Sequence, residues 1–293
     1  MYPASFDYVA VRSLDEALAA LSEGDEDTKV LAGGQSLIPM MKLRLAIPSK
    51  LVDINRVPGL AGIDVSDGHL VVGALTRHND VVKSHLVKAE NRTMAAAAPW
   101  IADPLVRNLG TVGGSLAHAD PQGDWGSVML ACGAEVVATS TRGDRTIPVT
   151  ELFVDLFTSA LEPDELLTQV RVPRYSGPAG GTYLKLERKV GDYATVGVAV
   201  HLQLDDGRIS QAGIALTGVG SKNIKATQAE SALVGQLPSD DLFAEAGDLA
   251  AAAAEPRTDV RGTADFKRSV VRTYVRRGLS QAATQAAGQA EPG

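Results

Sequence analysis

Two stretches decide how this chain reads: KVLAGGQSLIPMMKLRL, residues 29–45, and RNLGTVGGSLAHADPQGDW, residues 107–125. Each sets glycines beside a hydroxyl residue: Ala32-Gly33-Gly34-Gln35-Ser36-Leu37 in the first, Thr111-Val112-Gly113-Gly114-Ser115 in the second. Glycine lets backbone approach a ligand closely and adopt positive φ. Successive N–H groups then form a concavity for an anion, to which a Ser or Thr hydroxyl adds a donor. Two such motifs suit the two sides of a pyrophosphate; a tight turn alone would also account for either one. Neither matches the dinucleotide fingerprint G-x-G-x-x-G, and neither carries the lysine of a phosphate-binding P-loop. Gly218-Val219-Gly220-Ser221-Lys222 lacks that spacing too and reads as a strand-to-helix turn.

Outward from these motifs the texture changes twice. Before residue 58, Ser13 and Glu16 form a capping box ahead of a helix that stops at Gly24. KVLAGG and LVDI read as short strands. From residue 59, a hairpin is predicted at Asp67-Gly68 and helices over 75–88 and 89–102. Residues 107–125 read as a structured loop, followed by a helix in DWGSVMLACGA and strands in AEVVATS and PDELLTQVRVP. YSGPAGG, residues 175–181, is a linker candidate. Val198, Val200, Leu202 and Leu204 then alternate at the strand period in a meander with a hairpin at Asp206-Gly207. Three helices are expected from Lys222 onward. The expectation is an α+β chain with subdomains 1–58, 59–177 and 178–280 and a disordered tail 281–293. A doubly wound parallel sheet would alternate strand and helix throughout.

The 293 residues are 45% hydrophobic with net charge −7. Scattered Lys and Arg give no basic stripe for nucleic acid. No apolar run reaches membrane-spanning length, and the N-terminus lacks a secretory pattern. The single cysteine, Cys132, reads as a small buried apolar residue. It can form no internal disulfide and hold no iron–sulfur cluster. His69, His78, His85, His118 and His201 show no metal-ligand spacing and read as surface or turn residues. A reducing cytoplasm is the expected setting.

The two glycine motifs, in this order and followed by KLERKVGDYATVGVAV (185–200), resemble the FAD-binding subunits of the molybdenum hydroxylases, the family of xanthine dehydrogenase. The likeness runs from about Phe6 to Leu279, and within the family it leans toward the medium subunits of aerobic carbon monoxide dehydrogenases. It implies a two-subdomain FAD-binding fold of the vanillyl-alcohol oxidase (PCMH) type, followed by an antiparallel sheet with helices. It further implies non-covalent FAD, its pyrophosphate held by Ala32–Leu37 and by Thr111, Gly113, Gly114 and Ser115. The flavin ring would lie near Asp124, Lys185 and Tyr193, with Ile101 and Leu167 as apolar lining. Read as residues alone, Asp124 serves equally as a helix N-cap, Ile101 and Leu167 as core, Lys185 as a solvated strand residue and Tyr193 as a packing residue. Gln35 stands where the family usually has histidine. The resemblance places molybdenum cofactor in a large partner and two [2Fe–2S] clusters in a small one, in a dimer of heterotrimers. Electrons would leave for a quinone or NAD, with the inner membrane face as an attachment site. Catalytic residues and metal ligands are not expected on this chain. Rival readings are a self-sufficient flavin oxidoreductase, a flavin subunit acting on xanthine, aldehyde or N-heterocycle, and a scaffold subunit.

Overall fold

The computed structural model describes residues 2–288. Its first layer is a parallel three-stranded sheet. The elements are β1 (Asp7–Ala10), α1 (Leu14–Ser22), β2 (Thr28–Leu31), α2 (Leu37–Lys42) and β3 (Lys50–Asp53), with strand order β1-β3-β2. The Ser13 hydroxyl accepts from the Glu16 N–H and the Glu16 carboxylate from the Arg12 N–H, so the predicted cap closes one residue wider than the usual box. Ala17, Leu18 and Leu21 of α1 pack on Val52 and Ile54. The first glycine motif leaves β2 directly and enters α2.

The second layer is an antiparallel five-stranded sheet in the order β4-β5-β10-β6-β7. It comprises β4 (Ile63–Ser66), β5 (His69–Gly73), β6 (Glu135–Ser140), β7 (Gly143–Pro148) and β10 (Leu166–Pro173). Asp67 and Gly68 both take positive φ in the predicted hairpin, as a two-residue turn of the twist-matching type requires. Short helices fill one face: α3 (His78–Lys83), α4 (His85–Glu90), α5 (Arg92–Ala97), α6 (Pro104–Leu109), α7 (Val112–His118) and α8 (Asp124–Ala131). A small helix α9 (Val149–Leu152) leads into the ribbon β8 (Phe153–Asp155) and β9 (Thr158–Ser159). The stretch read as a structured loop thus holds two helices. Each helix is capped at its start: the Asp103 carboxylate accepts from Val106 N–H, and the Thr111 hydroxyl from Gly114 N–H.

The third layer is the antiparallel sheet β11 (Ala179–Leu186), β12 (Val196–Asp205), β13 (Arg208–Thr217) and β14 (Ile224–Lys225), backed by α10 (Thr227–Leu233), α11 (Asp240–Ala253) and α12 (Ala264–Ala286). Val196, Val198, Val200, Leu202 and Leu204 face the helices. The opposite face of β12 and β13 carries Gly197, Ala199, Gly213 and Ala215 and lies against α8; a Cβ at Gly213 would collide with the Ala131 carbonyl. Two expectations change here. Gly180 and Gly181 belong to β11 and not to a linker, because Gly180 lies against the Ala282 carbonyl and Gly181 against Thr93, leaving no room for side chains. Residues 281–286 are the end of α12, with Ala282 and Ala286 buried. Alanines lack bulk, but here they are the contact that permits close helix–sheet approach. Residues 289–293 of the expected tail lie outside the described residues. Among the described residues no helix is long and apolar enough to cross a membrane.

Candidate functional site

Between the first two layers and β11 runs a cleft of ≈ 650 Å³, within the ordinary size of a cofactor pocket. Of the residues singled out from sequence, all but Gly113 and Leu167 line it. Leu167 is buried in the second sheet's core, paired with Ala138 on β6. Gly113 serves the fold: its N–H donates to the Ala74 carbonyl, and a Cβ would lie 2.7 Å from Ala74 Cα.

The two glycine motifs are pressed against each other. A Cβ on Gly33 would collide with the Leu109 carbonyl oxygen and lie 2.7 Å from Gly110 Cα. Two residues beyond the motifs hold this geometry. Asn55 donates to the Ala32 carbonyl (2.7 Å), and Arg77 donates both to Asn55 Oδ1 (2.7 Å) and to the Leu109 carbonyl. Gly34 takes φ +71°, and Gln35 Nε2 donates to the Gly33 carbonyl (3.0 Å), bracing the turn from inside. The N–H groups of Gly33, Gly34, Gln35 and Ser36 donate to no group among the described residues. Four consecutive free donors on a cleft wall fit an anionic phosphate. Thr111, Gly114 and Ser115 face the same cleft.

The other end of the cleft is ionic and aromatic. Asp124, the first residue of α8, is buried; its carboxylate accepts from the Tyr183 hydroxyl (2.6 Å) and from Lys185 Nζ (3.0 Å). It makes no cap bond, and Gly123 holds the cap position, so the helix-cap reading of Asp124 falls. Burial pushes its carboxyl up, with the Lys185 ammonium pulling the other way. Tyr183 is held well above its ordinary range by burial and by that carboxylate. Lys185 is not solvated: its side chain is 1% exposed and its Nζ also donates to the Trp100 carbonyl (2.9 Å). Ile101 and half-exposed Tyr193 complete this end. Tyr193 sits on a turn clamped by Arg261, which donates to the Tyr193 carbonyl and to Asp192; that ion pair draws Asp192 down to about 2.

Sequence reasoning missed Asn55, Arg77 and His78. Neither of the first two lies in a motif, and their role exists only where chain segments meet. His78 is buried on the cleft wall, where its Nδ1 accepts from Trp125 Nε1 (3.0 Å). Burial, then Arg107 and Arg77, lower it to about 4. His201 is likewise buried, stacked on Tyr175 at 3.9 Å and lowered to about 3 by burial. Both correct the surface reading of the histidines: helix and sheet close over them. His118 also lines the cleft.

Residues 4–175 match the family described as FAD binding domain in molybdopterin dehydrogenase, and residues 181–282 that described as CO dehydrogenase flavoprotein C-terminal domain. The chain is 43% identical to subunit alpha of the 6-hydroxypseudooxynicotine dehydrogenase complex of Paenarthrobacter nicotinovorans, over 96% of each chain. It is 40% identical to the carbon monoxide dehydrogenase medium chain of Hydrogenophaga pseudoflava, over 96% of this chain and 98% of that one. Its fold is similar to a chain of the solved carbon monoxide dehydrogenase from Hydrogenophaga pseudoflava that lacks the Mo-pyranopterin moiety. That match has a TM-score of 0.95 at 42% identity and covers 97% of this chain and 99% of that one. A chain of quinoline 2-oxidoreductase from Pseudomonas putida 86 matches with a TM-score of 0.91 at 34% identity, covering 98% and 99%. Motifs, fold and cleft agree: the chain belongs to the FAD-binding flavoprotein subunits of the molybdenum hydroxylase family of oxidoreductases.

Proposed function

We propose that this chain binds FAD without a covalent link and relays electrons from a partner's [2Fe–2S] clusters to an external quinone or NAD. The observation that carries the reading is the row of free N–H donors from Gly33 to Ser36, set across a cleft from Thr111, Gly114 and Ser115, with Asp124, Lys185 and Tyr193 at the cleft's other end. The donors would take the pyrophosphate; the ionic and aromatic end would take the isoalloxazine. Bound FAD supplies the exchange between one-electron and two-electron carriers, and the protein supplies position and electrostatics. Asp124 offers an acceptor to a ring N–H. The Lys185 ammonium lies on the wall where a reduced flavin would carry negative charge. Ile101 and Tyr193 cover the ring and exclude water.

The partners in this reading are a large subunit with molybdenum cofactor and a small iron–sulfur subunit, doubled by twofold symmetry. The donor proposed from sequence is carbon monoxide. The likeness to carbon monoxide dehydrogenases supports it, while a relative named for a nicotine derivative is as similar. Native purification followed by donor assays tests both levels. The expected result is a three-chain complex whose flavin is bleached by carbon monoxide only in the assembled state and comes free of the chain on denaturation by heat or acid. Bleaching by N-heterocycles alone would refute carbon monoxide and leave the relay standing. Rapid flavin reduction by an organic donor in the isolated chain would overturn the relay in favour of a self-sufficient oxidoreductase.

A further inference from the structure

Beside the cleft's ionic end lies a carboxylate that the proposed binding of FAD does not use. β11 places Tyr183 and Lys185 on one face, and Glu187 follows at the same period of two. Lys185 Nζ spends one N–H on the Trp100 carbonyl and another on Asp124 Oδ2. Toward Glu187 it remains at 3.5 Å from Oε2, too far for a strong bond. Glu187 Oε2 is buried with no hydrogen-bond partner, in a side chain only 10% exposed. Its other oxygen accepts from the Gly191 N–H (3.3 Å), at the start of the turn that brings Asp192 and Tyr193 to the cleft. Two further cations, Arg188 and Arg261, share Asp192 on this wall. One ammonium therefore serves two buried carboxylates, Asp124 and Glu187. A buried carboxylate without full compensation is costly.

We infer that Glu187 is a positioning residue that holds Lys185 and the Gly191–Tyr193 turn, and that its buried charge, set against the Lys185 ammonium, keeps the flavin potential low. This rests on the proposed binding of FAD with its ring at the Asp124–Lys185 end. Charge at this depth acts on the ring through a medium of low effective dielectric. Electrons added to a flavin beside it are held less tightly, which favours passing them on.

The test is a redox titration of flavin in the purified heteromeric complex carrying wild-type chain, Glu187→Gln or Glu187→Asp. FAD content and thermal midpoint are read alongside. Glu187→Gln keeps shape and removes the charge. It is expected to retain FAD and to favour reduced over oxidised flavin by about tenfold, which for a two-electron couple is ~30 mV more positive. The potentials of the partner's clusters should not move. Glu187→Asp keeps the charge and should restore a near wild-type potential. A Glu187→Gln complex with full FAD and a wild-type flavin potential overturns the inference, whatever its thermal midpoint. If Glu187→Gln loses FAD, Glu187→Asp decides: a wild-type potential supports the inference, and a shift as large as tenfold despite the kept charge overturns it. A wild-type complex without FAD would instead refute the cofactor reading itself.

Discussion

The Leu109 carbonyl oxygen is held from two sides, by the Arg77 guanidinium and by the bare Cα of Gly33. Gly33→Val is therefore expected to separate the two glycine motifs as well as to block a phosphate, with loss of FAD and a lowered thermal midpoint. A variant with full flavin absorbance and unchanged melting contradicts both roles. Asp124→Ala strips the buried Lys185 and Tyr183 of their shared acceptor. Breaking a buried pair from one side typically costs about 3–5 kcal/mol, a loss to be read by chemical denaturation, with FAD affinity falling in parallel. The buried histidines set an acid limit. His78 and His201 are held below the ordinary 6.5, at about 4 and about 3. The folded state therefore binds fewer protons than the unfolded one, and stability falls as pH drops from 6.5 toward those values. At pH 5 the loss is roughly 2 kcal/mol for each histidine. Comparison of unfolding at pH 7 and pH 5 should show a smaller difference in His201→Gln; an equal difference would remove this histidine from the account.

Among the elements, α7 and α12 show how small residues position the site. Thr111 caps α7 while facing the cleft, so Thr111→Ala should cost about 1 kcal/mol of stability and also weaken FAD binding. Thr111→Ser keeps the hydroxyl and should restore both; a stability loss with unchanged affinity would leave Thr111 a cap only. At the far side, β11 is seated on α12 through Gly180 against the Ala282 carbonyl and Thr182 against Gly278. Gly180→Ala forces strand and helix apart, an overpacking expected to cost about 1–3 kcal/mol. Because β11 also carries Lys185 and leads into Glu187, FAD retention should fall with it, measurable as flavin content after gel filtration. The Asn55–Arg77 pair joins the first layer to the second in the same way, outside either motif.

Across the whole molecule, the cleft is built from all three layers. The first supplies Gly33–Ser36, the second Thr111, Gly114, Ser115 and Asp124, and the third Lys185 and Tyr193. The apolar clusters cross these layers as well: Tyr183, Ala199 and Ala215 of the third sheet belong to the core of the second. The layers should therefore unfold together, and urea transitions followed by tryptophan fluorescence and by flavin release should coincide. Well separated transitions would show that the third layer opens alone.

Turn chemistry made much of this legible from sequence. Asp67-Gly68 and Asp206-Gly207 mark hairpins because few other pairs accept positive φ at both positions. The period of two in β12 and the cap at Ser13 are likewise local properties. The glycine motifs could be named as candidates because close backbone approach needs glycine, and Asp124 through the family resemblance; the structure brings them to one cleft. Burial and partnership could not be read. Ile101 lines the cleft and Leu167 does not, though both are apolar residues in short motifless segments. Gly113 and Gly114 are neighbours, yet one packs on Ala74 and the other faces the cleft. His78, Lys185, Glu187 and the Asn55–Arg77 clasp acquire their character from groups tens of residues away. Conformational preference is set by a residue and its immediate neighbours, whereas desolvation and charge pairing depend on which surfaces the finished packing brings together.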